Sequence, residues 1–370
     1  MRGDVTPNTG TYEGMADAAE AALAAEDFAT AIAMFDRAEP GVADPDRCAG
    51  GRWMAHMLTG NFAGAWLESD AIRQRGRPDP HRFWNGEDLK GKRLIVRSLH
   101  GFGDAVQMFR FLPRLRERVA DLMIEVPPRL VDLAACFDGV GQVITWGEQA
   151  PSSPPSWDVQ TEVMELPYVL RVTPDDLRPQ QGYLRVPETE QTRVGRIIGP
   201  KVTPRVGLIW CAGHWNPTRS IPIGQFRRLL GVEGVEFWSL QGDSERHAWT
   251  ALGTHPSRRD AHECGEGILP LAAVIERMDL VVTVDTLGAH LAGALGVPCW
   301  VLLQRQADWR WMSRRPDSPW YPSLRLLRQQ NQDDWAGLID QVCHDLRTWV
   351  QAQQPAGVTS SPNGFASLKA

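Results

Sequence analysis

Cysteine is scarce: six in 370 residues, at positions 48, 136, 211, 264, 299 and 343, with no C-x-x-C pair. That scatter excludes a disulfide framework and a zinc knuckle, and the six are expected as buried free thiols. Histidine is nearly as sparse, with nine residues, and the lone His262-x-Cys264 pair has no second ligand pair beside it. No metal site is expected. Long apolar runs are missing too; the longest, from Ala294 to Leu303, is about half of what spans a bilayer, so no membrane span is expected. The opening MRGDVTPNTG carries one arginine and no apolar stretch, unlike a secretory leader, and the expected location is the cytoplasm. Basic charge is not in excess: 39 Lys and Arg stand against 45 Asp and Glu, a net charge of −6. This argues against a nucleic-acid binder with a broad basic face and leaves any phosphate ligand to a local site.

What is present is length and a change of texture. At about 150 residues per domain, the chain holds at least two cores. Residues 1–80 read as a small all-α region, with alanine and large apolar residues at helical spacing over Ala16–Ala38 and again over Arg52–Arg75. Turns fall at Glu26-Asp27 and Gly60-Asn61, and an aromatic residue (Phe28, Phe62) precedes small ones (Ala31, Gly64, Ala65) at matching offsets. The pattern resembles two loose units of the tetratricopeptide repeat (TPR). Two such units bury little alone, so they are expected to dock on the neighbouring domain or to self-associate, as a plain helical cap or as a peptide-binding groove.

After Pro78-Asp79-Pro80 the chain alternates β and α segments. Strands are expected at Arg93–Arg97, Leu122–Val126, Val143–Trp146, Val206–Cys211, Val235–Gln241, Leu280–Val284 and Cys299–Leu303, with helices between them and a final helix over Asp333–Val350. The fold class is α/β: two Rossmann-like domains, 84–187 and 204–350, facing each other across a cleft. Ala150–Ser156 reads as a surface loop, Pro187–Pro204 as a connector and 351–370 as a flexible tail.

Chemistry-bearing residues gather at strand ends. In Ser98–Pro113 (SLHGFGDAVQMFRFLP) the glycines 101 and 103 fit a strand-to-helix turn, but Val106 replaces the third glycine of a dinucleotide fingerprint. Asp104 stands where a helix begins at the carboxyl end of a strand, suited to accept a proton from a substrate hydroxyl or merely to cap its helix. In Leu280–Leu303 the strand ends at Asp285, Thr286 is placed to cap the next helix, and the free first-turn amides, from Leu287 and Gly288, suit a phosphate. His290 lies on the same helix face one turn on. Arg219 and Ser220 precede a proline in a loop suited to bracing phosphate oxygens. Gln241 and Asp243 end a strand within reach of a ribose or base, or serve as turn residues. The stretch Ala307–Gln329 interleaves Trp309, Trp311, Trp320 and Tyr321 with Arg310, Arg314, Arg315, Arg325 and Arg328, fit for stacking a ring and binding anions.

Together, GFGDAVQMFRFLP, RSIP, SLQGD, VDTLGAHLAGALGVPCWVLL and DWRW…DSPWYPSLRLLRQ resemble the bacterial TPR proteins whose catalytic part is similar to glycosyltransferase family 9, the heptosyltransferase group. The resemblance covers about residues 84–348. It implies a GT-B fold with an N-terminal acceptor domain, a C-terminal nucleotide-sugar domain, and inverting transfer without a metal or other cofactor, the nucleotide-sugar being a co-substrate. By motif position Asp104 matches the family's base; Asp285, Thr286 and His290 match its donor-phosphate helix, and Arg219 its basic phosphate-binding position. Ser220, Gln241, Asp243, Leu287 and Gly288 join the donor side, and His100, Gly103 and Gln107 the acceptor side. HGFGD stands where QGLGD is more usual, and the segment from Cys211 to Arg219 is short for the family. The expected partners are a nucleotide-sugar and an acceptor that is a protein, a saccharide or a small metabolite. Two other classes stay open: a scaffold whose repeats bind a partner beside a vestigial cleft, and an enzyme like a nucleotide-sugar 2-epimerase.

Overall fold

The computed structural model describes residues 11–76, 83–147, 155–177, 182–213, 216–242 and 245–353. It opens on two helix hairpins, α1 (Tyr12–Ala24) with α2 (Phe28–Ala38), and α3 (Pro45–Thr59) with α4 (Phe62–Arg75). Each helix starts on a side chain that accepts a first-turn amide: Thr11, Asp27, Asp44 and Asn61. Arg52, buried in α3, is gripped by Glu68 at 2.7 Å and Glu39 at 2.8 Å, which ties the second hairpin to the first. The apolar face of the second hairpin docks on the α/β body: Trp66 donates its indole N–H to Val172 O at 2.8 Å, and Phe62 packs against Trp320.

The α/β part holds two all-parallel sheets. The front sheet has the order β3-β2-β1-β4, from β1 (Arg93–Arg97), β2 (Asp121–Val126), β3 (Gln142–Thr145) and β4 (Val159–Glu162). The rear sheet has the order β10-β9-β8-β5-β6-β7, from β5 (Arg205–Ile209), β6 (Glu236–Ser239), β7 (Arg258–Asp260), β8 (Leu280–Val284), β9 (Cys299–Leu303) and β10 (Leu324–Arg328). Strand order reverses once in each, between β1 and β4 in front and between β5 and β8 behind, and such reversals open a crevice at the carboxyl strand ends. Helix α5 (Phe102–Met108) follows β1, and the Leu287–Leu295 helix follows β8; these two pack on each other at the junction of the lobes. One apolar core runs without a break from Met57 and Phe62 through the front sheet to Leu326 behind.

Three strands, β4, β7 and β10, exceed expectation, and the expected connector 187–204 contains a helix, Glu188–Ile198. The expected long helix from Asp104 is broken into α5, a tight turn at Phe109–Phe111 and a short helix at Leu112–Arg116, because Pro113 lacks the amide that would continue it. The break at 78–80, most of the 150–156 loop and the tail beyond 353 lie outside the described residues. All six cysteines are free, four of them buried, and among the described residues no helix is long and apolar enough to cross a membrane.

Candidate active site

Strand β1 delivers the chain into a turn that enters α5. Asp104 does two things there. Its Oδ2 accepts the Gly101 amide at 3.0 Å, the capping role, and its Oδ1 faces Arg310 Nη2 at 2.8 Å. The side chain stays 24% exposed and lines a cavity of about 640 Å³ between the lobes. A carboxylate oxygen has two lone-pair directions, so each oxygen keeps one open. At the end of the adjacent β4, buried Glu162 accepts Met164 N at 2.6 Å and lies 3.6 Å from His100 Nε2. Burial pushes the Glu162 carboxyl above its ordinary range, against the pull of its backbone donors and His100. His100 and Gly103 line the cavity.

From behind, β8 ends and Asp285 leads into Thr286, which precedes the Leu287–Leu295 helix. The Thr286 hydroxyl makes no capping bond, contrary to expectation, and the leading amides of an α-helix have no intrahelical partner. Thr286 and Leu287 line the cavity opposite Asp104. A Cβ at Gly288 would press on Cδ1, the tip of the Ile209 side chain of β5, so the helix start sits tight on the sheet. Asp285 is buried and takes Arg219 Nη1 at 3.4 Å. Burial, reinforced by Asp308, raises its carboxyl against the pull of Arg219. Asp285 therefore holds the arginine in place rather than meeting a phosphate itself. Arg310 lies between Asp104 and Asp308, each at 2.8 Å. Burial alone would disfavour its charge, but the carboxylates of Asp308 and Asp104 more than offset this and hold it above its ordinary value.

His290 departs from its expected role. Its ring is buried, stacked on Trp311 at 5.4 Å, with Nδ1 2.9 Å from the Tyr321 hydroxyl. Burial, then Arg310 and Arg219, push it down to about 3. A neutral imidazole brings no positive charge to a phosphate; it lines the cavity and packs against Gly103, whose added Cβ would lie 2.6 Å from His290 Cδ2.

A second cavity, of about 840 Å³, opens along the ends of β5 and β6 and shares Phe102, Gly213, Thr286 and Leu287 with the first. Arg246, held by Asp260 at 2.8 Å, and His262 form part of its wall. The two chambers meet at the Thr286 helix start. Among the described residues no three His, Cys, Asp or Glu side chains gather as a metal set.

Four expected residues fall elsewhere. Gln107 is wholly buried, neither amide atom has a hydrogen-bond partner, and it lines neither cavity. It follows Gly103 by one helical turn and so points into the lobe junction with it. Ser220 Oγ accepts Ala212 N at 3.0 Å. Gln241, though it borders the larger cavity, accepts Cys211 N at 2.9 Å and Trp210 N at 3.2 Å on its Oε1. Both fix the loop after β5 instead of reaching for a ligand. Asp243 lies outside the described residues. Conversely, Arg310, Asp308 and Met164 line the 640 Å³ cavity. Of these, Arg310 carried a signal, its place in the Trp/Arg-rich stretch.

No family model matches the chain. Protein FlbA of Caulobacter vibrioides is 26% identical over 327 residues, 80% of this chain and 54% of that protein, so the chain spans about half of its relative's length. Two solved structures superpose on it: the family 9 glycosyl transferase of Veillonella parvula, with TM-score 0.53 and 15% identity over 73% of this chain and 100% of that one, and the E. coli ADP-heptose LPS heptosyltransferase II, with TM-score 0.52 and 17% identity over 70% and 99%. The fold is the GT-B fold of these proteins. In GT-B terms the 640 Å³ cavity lies in the interdomain cleft, with Asp104 on the front lobe and the Thr286 helix start and Arg219 on the rear lobe.

Proposed function

We propose that the protein is a glycosyltransferase that moves a sugar from a nucleotide-sugar to an acceptor nucleophile, with inversion and without a metal ion. The observation that carries this reading is that Asp104 and the Thr286 helix start, from opposite lobes, line one cavity. Asp104 takes the proton of the acceptor O–H as that oxygen forms a bond to the anomeric carbon. The bond from that carbon to the phosphate oxygen breaks, its electron pair stays on the departing nucleoside diphosphate, and attack from the opposite side inverts the carbon. Leading helix amides and the Arg219 guanidinium meet the charge that develops on the phosphate. The diphosphate bridges the chambers at Thr286, with the nucleoside in the 840 Å³ cavity. Base assistance contributes about 10²–10⁴-fold, and each prepositioned donor about 10²–10³-fold.

The helix hairpins are read with it as a TPR-like pair, supported by their turn positions and by the buried Ala31 and Ala65 three residues after Phe28 and Phe62. A cytoplasmic setting is supported by the six free thiols. A thermal-shift panel of UDP-, GDP-, ADP- and CMP-sugars tests the reading, since a ligand that binds only the folded state raises the melting temperature. One nucleotide class is expected to stabilise the protein. A flat panel sinks the proposal, and an isomerised sugar formed without acceptor replaces transfer with epimerisation.

A further inference from the structure

Four of the five non-glycine residues with left-handed backbone among the described residues lie in one contact. Glu26 (φ 59°), Arg171 (φ 52°), Met312 (φ 52°) and Arg314 (φ 55°) sit where the helix hairpins meet the α/β body, while the fifth, Asp333, precedes the last helix. Such backbone is unfavourable for a residue with a Cβ and persists only where the surroundings over-determine it. Here the hairpins do so. Ser313, between two strained residues, donates its amide to Leu58 O at 2.8 Å and its hydroxyl to Glu26 Oε1 at 2.8 Å. Arg314 Nε donates to Glu26 Oε2 at 3.2 Å, and Met312 packs on Gly60. From the other side Arg328 donates to the carbonyls of Trp311 and Met312 at 2.6 and 2.5 Å.

The segment held in this way begins at Asp308 and carries Trp309 and Arg310. Trp309 stands edge-on to Trp53 of α3 at 5.6 Å and to Trp320 at 6.0 Å; Trp320 in turn meets Phe62 of α4 at 5.8 Å. The Arg310 guanidinium lies over the Trp309 ring, 4.5 Å from its centroid, and ends on Asp104 at 2.8 Å. A continuous chain of contacts therefore runs from the hairpins to the carboxylate in the cleft.

We propose that Arg310 is a positioning residue for Asp104 and that the two helix hairpins hold it there, which makes the N-terminal region a structural part of the transfer site. The inference rests on the transferase reading above. Arg310 occupies one direction at Oδ1 and the Gly101 amide one at Oδ2, so together they set the rotation of the carboxylate and the directions left for an acceptor proton. A guanidinium presents its N–H groups as a rigid fork, so a shift of Trp309 is passed to Asp104. A misplacement of about 1 Å in a reacting group costs about 10²-fold in rate.

The test uses the full-length protein and two readouts: stabilisation by UDP, GDP, ADP or CDP, and release of the stabilising diphosphate from the matching nucleotide-sugar with water as acceptor. Trp53→Ala and Glu26→Ala alter the hairpin side, Arg310→Ala and Arg310→Lys the guanidinium, and Leu67→Ala is a control at an exposed position on α4. The hairpin variants are expected to keep the diphosphate-induced shift and the donor KM within about twofold while losing about 10-fold or more in kcat, the signature of a lost orientation rather than lost binding. Arg310→Ala loses about 100-fold and regains part of it in millimolar guanidinium chloride; Arg310→Lys, a point charge without the fork, falls between; Leu67→Ala matches wild type. Wild-type kcat in the folded hairpin variants, no guanidinium response in folded Arg310→Ala, or a kcat loss matched by loss of the diphosphate shift overturns the inference. If Trp53→Ala or Glu26→Ala fails to fold, Trp53→Phe and Glu26→Gln carry the same comparison. A wild-type protein that none of the four diphosphates stabilises overturns the transferase reading and the inference with it, whereas an active wild type matched by all variants overturns the inference alone.

Discussion

The front and rear lobes share a plan and bring opposite chemistry to the cleft. In each, a parallel sheet reverses strand order once, and the cavity lies off the carboxyl strand ends at that reversal. What the front lobe puts there is a carboxylate, Asp104 after β1; the rear lobe puts N–H groups there, the start of the helix after β8 and Arg219 after β5. The topology thus decides where a ligand sits, and a handful of residues just past the strands decides its charge. The Asp308–Arg315 segment crosses that divide, since Arg310 carries positive charge to the front-lobe carboxylate.

This contrast can be broken from either side. The largest effect is expected for Asp104→Asn, which removes the carboxylate proposed as the base: turnover falls about 10²–10⁴-fold, while stabilisation by nucleoside diphosphate in a thermal-shift assay stays intact. Full turnover would assign the base elsewhere. Arg219→Gln attacks the rear lobe. Hydrogen bonds to charged groups are worth about 1.5–3 kcal/mol, so diphosphate affinity measured by calorimetry should drop roughly 10- to 100-fold, and unchanged affinity would remove Arg219 from the phosphate site. Gly103→Ala targets the seam between the lobes. Its Cβ would lie 2.6 Å from a His290 ring pinned by Trp311 and Tyr321, an overpacking that costs about 1–3 kcal/mol, readable as a lower urea midpoint; an unchanged midpoint would mean that the seam is loose.

The smallest effect is a pH dependence that sharpens the comparison. The His290 pKa, about 3 in the folded protein against 6.5 ordinarily, means that the unfolded chain takes up a proton that the fold refuses. Its contribution is therefore fully present above pH 6.5 and is lost as the pH falls from 6.5 toward 3, by up to about 1.4 kcal/mol per pH unit. Glu162, Glu165 and Asp285, whose carboxyls burial raises, act with the opposite sign. The measurement is accordingly the difference in unfolding free energy between wild type and His290→Asn at about pH 7 and about pH 5. The wild-type advantage should shrink in acid, and an advantage independent of pH would contradict a buried neutral imidazole.

Much of the fold was legible because its strongest signals are local. Strands β1, β8 and β9 are short apolar runs bounded by turn residues, and they form where the pattern put them. Strand β4, VQTE, was not legible: three polar residues in a row read as loop, yet Gln160, Thr161 and Glu162 are buried because β4 extends the front sheet beside β1. Strand β10, LRLLR, hid behind its arginines, Arg325 on its exposed position and Arg328 at its carboxyl end. The placement of Asp104 and Thr286 on one cavity was legible because a strand end followed by a helix start fixes it. The backbone bonds of Ser220 and Gln241 were not legible, because short polar side chains at strand ends bond back to the neighbouring backbone as readily as to a ligand. The task of Arg310 could not be read at all, since its partner belongs to the other lobe and its orientation to the hairpins.

The docking of α3 and α4 also bears on how the chain is made. A ribosome releases the N-terminus first, but Trp53 and Phe62 find their aromatic partners in Trp309 and Trp320, which follow β9 in the chain. Each nascent chain thus carries a half-covered pair of helices while both sheets are being made, exposed to chaperones and to neighbours on the same polysome, until the segment between β9 and β10 emerges and closes over them.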